Sequence, residues 1–274
     1  MYATYKIDVN EICRQDYTND ERFLKLQKSD QDLFKSTFQS FACMEEILQA
    51  EDILKSWFPI LNKQVFISHS HQDEEEALKL AAWLYHHFDI ECFIDSQVWG
   101  YSADLQRKLD NEYCINHGEA TYSYSKRNIS TAHVHMLLST ALQNMIDNCE
   151  CIIFIQSDNS AKPLSAIKIG KTTYSPWIYA EILSTKILRR RSPESHPGRP
   201  QPAYESMAKD SASKVLTIEY PLNLNHLYSL NRSTLRCWED KFNSLNYYNH
   251  SNQYEALDKL YEMTDMPTIK THIL

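Results

Sequence analysis

The pattern of apolar and polar positions changes repeatedly along the chain. Three short apolar runs are typical of buried strands: Gln64–Ser68, Ile90–Asp95 and Cys151–Ile155. Three stretches with apolar residues on one helical face begin at Asp73, at Ser130 or Thr131, and at Ser175, where Ser175 is a good N-cap and Pro176 suits the first helical position. Strands that alternate with helices predict an α/β fold, with a parallel sheet and helices on both of its faces.

The two ends of the chain follow a different pattern. Residues 1–62 carry apolar side chains at helical spacing without strand alternation, which predicts an N-terminal helical extension. The α/β domain is predicted to cover residues 63–220, and its fourth strand, Lys214–Tyr220, is placed towards one edge of the sheet. Residues 221–274 are predicted to form C-terminal helices that pack on this domain, at about 235–245 and 254–263.

Two connections inside the α/β domain are unusual. Residues 96–129 make a connection far longer than an ordinary loop between a strand and a helix, although Leu105 and Leu109 suggest a short helix within it. Long loops of this kind are often lids or binding loops, and a structural insertion is an equally good interpretation. Residues 192–211 are rich in Pro, Ser and charged residues, which predicts an exposed loop.

Composition narrows the functional classes. The formal net charge of −8 over 274 residues gives no general attraction to nucleic acid or to acidic membranes, and the apolar runs are too short to span a bilayer. Seven scattered cysteines without a CxxC pair, and no apolar leader, predict reduced thiols and a cytoplasmic protein. The four glycines cannot form GxGxxG or a P-loop, so helix N-termini and side chains would have to bind any nucleotide.

Polar residues collect at one edge of the predicted sheet. In an open parallel sheet, ligands bind outside the carboxyl ends of the strands, and the helices that follow the second and third strands begin at that same edge. The candidate site residues at this edge are Ser68, His69, Asp95, Trp99, Arg127, His133, His135, Trp177 and Glu181.

These residue types suit a dinucleotide. Helix N-termini offer N–H groups to a pyrophosphate, and Arg127 or protonated histidines would add charge-assisted hydrogen bonds. Trp99 and Trp177 offer flat faces to the bases. Glu181 is four residues after Trp177 and shares its helix face, and its carboxylate could bind ribose hydroxyls and stabilise positive charge at the anomeric carbon during glycosidic cleavage.

Several of these candidates also have a purely structural interpretation. Trp177 fits a core position and Glu181 a solvated one, and His133 and His135 could pack along a helix. A metal at His69 and His71, alternate residues that would share a strand side, is not predicted, since no further Cys, His or Asp partner occurs at a metal-ligand spacing. A serine hydrolase is disfavoured because the chain has no GxSxG motif.

The ordered set of motifs resembles the Toll/interleukin-1 receptor (TIR) domain family. The matching segments are Val65-Phe-Ile-Ser-His69 with Asp73, Cys92-Phe-Ile-Asp95 before a loop with Gly100, Cys151-Ile-Ile-Phe-Ile155, and Ser175-Pro-Trp177-Ile-Tyr-Ala-Glu181-Ile182. Together they lie within residues 63–190. The resemblance implies a flavodoxin-like parallel sheet, in agreement with the hydrophobic pattern.

The resemblance also implies a chemistry. In the NAD-cleaving branch of the family the glutamate of the last motif is catalytic, which implies Glu181 as the catalyst and Trp177 as a residue that shapes the pocket. The loop after Asp95 would correspond to a mobile loop that covers the ligand and mediates self-association. The segment from Lys126 to Ala141 is more specifically similar to bacterial TIR proteins of Thoeris-type antiphage systems, which turn NAD+ into an ADP-ribose-derived signal for a separate effector.

The sequence therefore predicts a cytoplasmic NAD+ glycohydrolase, cyclase or transferase that uses NAD+ as substrate and holds no permanent cofactor or metal. A separate effector protein, self-association and a phage-derived trigger are the partners that the resemblance implies, and neither nucleic acid nor membrane is among them.

The main alternative is a non-catalytic TIR scaffold, although a scaffold does not need an acid at Glu181. A receiver-like phosphoacceptor would need an acidic pair after the first strand, where Ser68-His69-Ser70-His71 stands. The product, whether linear, cyclic or conjugated, stays open.

Overall fold

The computed structural model describes residues 2–40, 48–98, 102–116, 121–163, 171–188, 220–246 and 252–264. The strands are β1 (Ala3–Asp8), β2 (Val65–Ser68), β3 (Cys92–Phe93), β4 (Cys151–Gln156), β5 (Lys162–Pro163), β6 (Lys171–Thr173), β7 (Tyr220–Leu222) and β8 (Tyr228–Leu230). The helices are α1 (Glu21–Ser40), α2 (Ala50–Trp57), α3 (Glu74–Phe88), α4 (Asp95–Val98), α5 (Ser102–Tyr113), α6 (Tyr124–Asn148), α7 (Pro176–Ile187), α8 (Arg232–Asn246) and α9 (Gln253–Met263).

A five-stranded parallel sheet forms the centre of the molecule, in the order β3-β2-β4-β1-β8. Neighbouring residues of β2 enter cores on opposite faces of this sheet. Ile67 packs in a cluster with Trp83 and Trp238 from α3 and α8, whereas Phe66 packs with Met145 of α6. Both faces are therefore covered, as parallel sheets require, and the predicted α/β class with flanking helices is confirmed.

The prediction that residues 1–62 form a helical extension is wrong for Ala3–Asp8. These residues form β1, which pairs in parallel with β4 from Ala3 opposite Cys151 onwards and with β8 on its other side. Strand alternation is missing from the sequence because β1 is buried on both faces, and the usable signal was the Tyr, Thr and Ile content of the run. Helices α1 and α2 account for the helical spacing that follows.

The position of β1 gives the sheet an unusual strand order. In a flavodoxin-like sheet the order along the sheet is 2-1-3-4-5. Here β3, β2, β4 and β8 occupy the first, second, third and fifth places, and the fourth place is filled by the N-terminal strand. The architecture is thus flavodoxin-like, but the inner strand between β4 and β8 is the N-terminal strand β1.

Of the predicted fourth strand at Lys214–Tyr220, the structure describes only Tyr220, which does not belong to the main sheet. Residues 214–219 lie outside the described residues, as does the predicted exposed loop at 192–211. Tyr220–Leu222 forms β7 of a small antiparallel sheet with order β5-β6-β7. Leu222 packs against Ile178 and Ile182, so this small sheet supports α7. The edge of the main sheet beyond β1 is β8 instead.

The predicted loop at 96–129 is largely helical where the structure describes it. Leu105 and Leu109 lie in α5, as their spacing suggests, and both are buried in the core that also contains Val134. Helix α6 begins at Tyr124, earlier than the predicted start at Ser130 or Thr131. The described residues of this stretch therefore form a packed helical insertion. The two C-terminal helices are confirmed as α8 and α9.

Replacing Ile7 by Ala tests the central place of β1. Ile7 is fully buried between the neighbouring strands and the helices of one face, so we expect the substitution to lower the free energy of unfolding by about 2–5 kcal/mol in urea denaturation. Leu33→Ala, at an exposed position of α1, is the control and should change it by less than about 0.5 kcal/mol. A loss at Ile7 no larger than at Leu33 would contradict the placement of β1 in the core.

Candidate active site

The crevice between β2 and β4 is the place where this topology suits a ligand. The chain leaves β2 through α3 towards β3 on one side, whereas β4 leads through α7 towards the strands on the other side. Connections that diverge from two neighbouring parallel strands leave an open crevice at their carboxyl ends. Ser68 ends β2 at this point.

Helix α7 brings Glu181 to the tip of β2. Ser175 caps the helix by accepting a hydrogen bond from the Ile178 N–H, and Pro176 occupies its first turn, as the sequence predicts. One turn further on, the Ser68 hydroxyl donates a hydrogen bond of 2.5 Å to Glu181 Oε2. Glu181 is only 4% exposed, so its carboxyl is enclosed at the crevice and is not solvated.

The surroundings of Glu181 favour its neutral form. Burial raises the pKa of Glu181 well above its usual range, and the nearby charge of Asp95 raises it further, while the hydrogen bond from Ser68 opposes the rise. Among the described residues, no cation forms an ion pair with this carboxyl. The enclosed carboxyl of Glu181 therefore lies where a positively charged ligand would be favoured.

Asp95 begins α4 shortly after the end of β3, close enough to Glu181 for its charge to act on that carboxyl. β2 and β3 pair with Val65 opposite Cys92 and Phe66 opposite Phe93, β3 ends there, and Asp95 begins α4 two residues later. Protein surrounds most of Asp95, although 36% of its side-chain surface is exposed. Burial raises the pKa of Asp95, and the charge of His69 opposes this rise.

His69 connects this strand tip to α3. Its Nδ1 lies 3.3 Å from the Ile67 carbonyl oxygen and 3.8 Å from Asp95 Oδ1, and its Nε2 lies 3.4 Å from Ser96 Oγ. The Ser96 hydroxyl itself donates to Glu74 Oε1. Nδ1 thus faces the Ile67 carbonyl and the Asp95 carboxylate, and Nε2 faces the Ser96 hydroxyl.

Trp177 and His135 form a second group next to the first. Their rings meet edge to face with centroids 5.9 Å apart, and Trp177 also packs on the core beneath α6. The length of α6 explains why His135 reaches this place. His135 lies roughly 20 Å before the C-terminal end of α6, and the chain then turns back into β4, which is about the same length. His135 therefore stands level with the carboxyl edge of the sheet.

Arg127 and His133 are not brought to Glu181. Arg127 lies about 30 Å from the end of α6 and so stands beyond the sheet edge. There its Nε donates to Asp110 Oδ2 at 2.9 Å, and its guanidinium lies over the Tyr122 ring. His133 is exposed on α6. Trp99, the remaining candidate, lies outside the described residues.

Sequence reasoning missed the residues that fix the crevice. The two oxygens of the buried Asp73 carboxylate accept from the Ser157 hydroxyl at 2.5 Å and from the Asn159 amide at 2.7 Å. These bonds tie the segment after β2 to the segment after β4. The sequence predicts a helix that begins at Asp73, yet the Asp73 side chain makes no cap hydrogen bond. The available signal was the cluster of short polar residues directly after β4.

Two other features of the described residues bear on ligands. No group of three or more His, Cys, Asp and Glu in the described ranges is arranged to hold a metal ion. A helix that combines the length and the apolar character needed to cross a bilayer is likewise missing from these ranges.

The chain shows no significant match to any protein-family model, curated protein or solved structure. The resemblance to TIR domains therefore rests on the motifs quoted above and stays a prediction.

The replacement of Glu181 by Gln is expected to stabilise the fold in a pH-dependent way. Because the pKa of Glu181 is raised in the folded protein, the folded protein keeps a proton on Glu181 at pH values where the unfolded chain has lost it, which begins above about pH 4.3. The free energy of unfolding therefore falls as the pH rises from there towards the folded pKa. Glutamine has no such proton. We expect Glu181→Gln to raise the free energy of unfolding by about 0.5–2 kcal/mol near pH 7.5, with the gain vanishing near pH 4.

Urea denaturation of both proteins across this pH range measures the effect. Glu21→Gln, at an exposed position of α1, is the matched control and should show no such pH-dependent gain. Equal stability of Glu181→Gln and wild type at every pH would contradict the buried, neutral carboxyl.

Proposed function

We propose that the chain is a TIR-like enzyme that cleaves NAD+ at the bond between nicotinamide and ribose, with Glu181 as the catalytic residue. The observation that supports this most directly is the bond between Ser68 and Glu181. It holds an enclosed acid at the carboxyl ends of the strands, where ligands of open parallel sheets bind. The acid belongs to the same motif that carries the resemblance to NAD-cleaving TIR domains.

The electrostatics of Glu181 fit this substrate. The nicotinamide ring of NAD+ is positively charged, and its departure leaves positive charge on the ribose. An enclosed acid that is costly to ionise alone becomes stable as a carboxylate when such a cation lies against it. The site would thus favour the charge that develops during cleavage, which is the usual basis of electrostatic catalysis.

The neighbouring aromatic pair provides a surface for a flat ring. Trp177 lies one helical turn before Glu181, and His135 meets it edge to face. A ring stacked on the exposed part of Trp177 would lie close to the acid. In this proposal Trp177 orients the nicotinamide or the adenine, and His135 fixes the indole plane.

The proposed product is an ADP-ribose-derived signal, either cyclic or conjugated, that serves in antiphage defence. We propose further that a separate effector reads this signal, that the protein acts in the cytoplasm, and that self-association and a phage-derived component trigger the reaction. The resemblance to Thoeris-type TIR proteins supports this part.

Arg127 is not included among the proposed substrate-binding residues, because it is paired with Asp110 away from the crevice.

Release of nicotinamide from NAD+ by the purified chain tests the proposal. The assay is run at high protein concentration, with and without extract of phage-infected cells, to allow for a requirement for assembly or a trigger. We expect Glu181→Gln to lower the rate by about 10²–10³-fold, since it removes the negative charge that stabilises the ribosyl cation. Glu21→Gln is the matched control and should keep the wild-type rate.

Two results would count against the proposal. If Glu181→Gln releases nicotinamide as fast as wild type, another residue carries the reaction. If wild type binds no NAD+ in calorimetry and releases no nicotinamide under either condition, the scaffold interpretation is the better one.

A further inference from the structure

Asp95 is a second carboxyl at the crevice, and its surroundings differ from those of Glu181. Asp95 Oδ1 lies 3.8 Å from His69 Nδ1, and part of the side chain is open to water. Glu181 is enclosed and is bonded to Ser68. Two carboxyls in one crevice with different surroundings are a recurrent basis for separate roles in acid–base chemistry.

We infer that Asp95 is the general base of this site, which takes the proton from water or from an acceptor hydroxyl when the ribosyl cation is captured. This inference rests on the proposed function and deepens it, because it assigns the residue that governs transfer to acceptors that carry a proton. The geometry supports it in three ways: the position of Asp95 at the start of α4 just after β3, the access of its side chain to water, and the neighbouring His69.

The step that needs a base follows cleavage. The C–N bond between ribose and nicotinamide breaks, and its electron pair leaves with nicotinamide, which becomes neutral. A lone pair of the acceptor oxygen then forms the new bond to the anomeric carbon, and that oxygen must lose its proton. The Asp95 carboxylate receives the proton and returns it to solvent. The products are nicotinamide, an ADP-ribosyl compound and one proton.

Asp95 suits this role better than Glu181 does. Glu181 is needed as the negative charge against the ribosyl cation, one of its oxygens is bonded to Ser68, and it has almost no exposed surface. Asp95 is partly exposed, so a proton that it accepts has a route to water. His69 favours its ionised form, and the raised pKa from burial makes the carboxylate a stronger base near neutral pH.

The acceptor itself provides the sharpest test. Water and hydroxyl acceptors must lose a proton, whereas the ring nitrogen of 3-acetylpyridine carries none and replaces nicotinamide without a base. The full-length chain is assayed for both reactions with NAD+: hydrolysis, and exchange into the 3-acetylpyridine dinucleotide. The variants are Asp95→Asn, Asp95→Glu and, as a matched control at an exposed position of α1, Asp32→Asn.

We expect Asp95→Asn to lower hydrolysis by about 10²–10⁴-fold while exchange stays within about threefold of wild type. Asp95→Glu keeps a carboxylate and should recover part of the hydrolysis, and Asp32→Asn should leave both rates unchanged. Glu181→Gln, by contrast, should lose both reactions, because it acts at the cleavage step that they share.

The wild-type protein gives a second test that does not depend on a variant that folds. The ratio of hydrolysis to exchange should fall as the pH drops through the folded pKa of Asp95, since protonation removes the base from one reaction only. The charged groups that face Asp95 are His69, His71 and Glu181, and Glu74 stands behind Ser96. The ratio cancels their effect on substrate binding and on cleavage, which both reactions share.

Several outcomes would overturn the inference. Equal losses of hydrolysis and exchange in Asp95→Asn would place Asp95 in cleavage or in folding, and unchanged hydrolysis would remove it from the reaction. A pH-independent ratio in wild type would contradict a titrating base. A wild-type chain that performs neither reaction would remove the proposed function and this inference together, whereas a failure of Asp95 alone would leave Glu181 as the catalyst.

Discussion

The hydrogen bond between Ser68 and Glu181 is the contact on which the account of this molecule depends. It joins the tip of a central strand to a helix more than a hundred positions later in the chain, and it places a carboxyl where water is almost excluded. Burial of a carboxyl is unfavourable unless a partner offsets it, and a single hydroxyl offsets only part of that cost. A fold that keeps such a group carries a local instability, which is common where binding or catalysis takes place.

The rest of the architecture holds that carboxyl in position. The cap at Ser175 fixes where α7 begins, and the small antiparallel sheet packs Leu222 against the helix. The bonds of Asp73 to Ser157 and Asn159 keep the segments after β2 and β4 together. Glu181 therefore sits on a helix that is capped and packed along its length, which is the arrangement that precise positioning of a reacting group requires.

Much of the fold follows from local pattern, and the exceptions have physical causes. The runs around Phe66 and Ile153 read as strands because they are short, apolar and bounded by polar residues. β1 was missed because a strand buried on both faces lacks alternation and because its partners, β4 and β8, lie far away in sequence. Pairing between distant segments leaves no local signal, and so the strand order could not be inferred from the sequence.

Part of the candidate site also follows from the sequence, and part of it depends on features that the sequence does not show. Glu181 and Ser68 were found because one topological rule places strand ends and following helices on the same edge. That rule does not fix how far a helix extends. The length of α6 decided that His135 meets Trp177 while Arg127 stands beyond the sheet edge and pairs with Asp110. The contact of His69 with Asp95 depends on where β2 and β3 end and on how the chain turns into α4, which the apolar pattern of such short strands does not determine.

The central claim is that Glu181 is a neutral acid which ionises against a positively charged ligand. Calorimetry tests it with an NAD+ analogue whose nicotinamide-bearing ribose has a methylene group in place of the ring oxygen, because this analogue keeps the charged ring and forms no oxocarbenium ion. Titrations near neutral pH in buffers of different ionisation enthalpy should show the release of up to about one proton per bound analogue, which disappears in Glu181→Gln. Binding without proton release, or with equal release in both proteins, would contradict the claim.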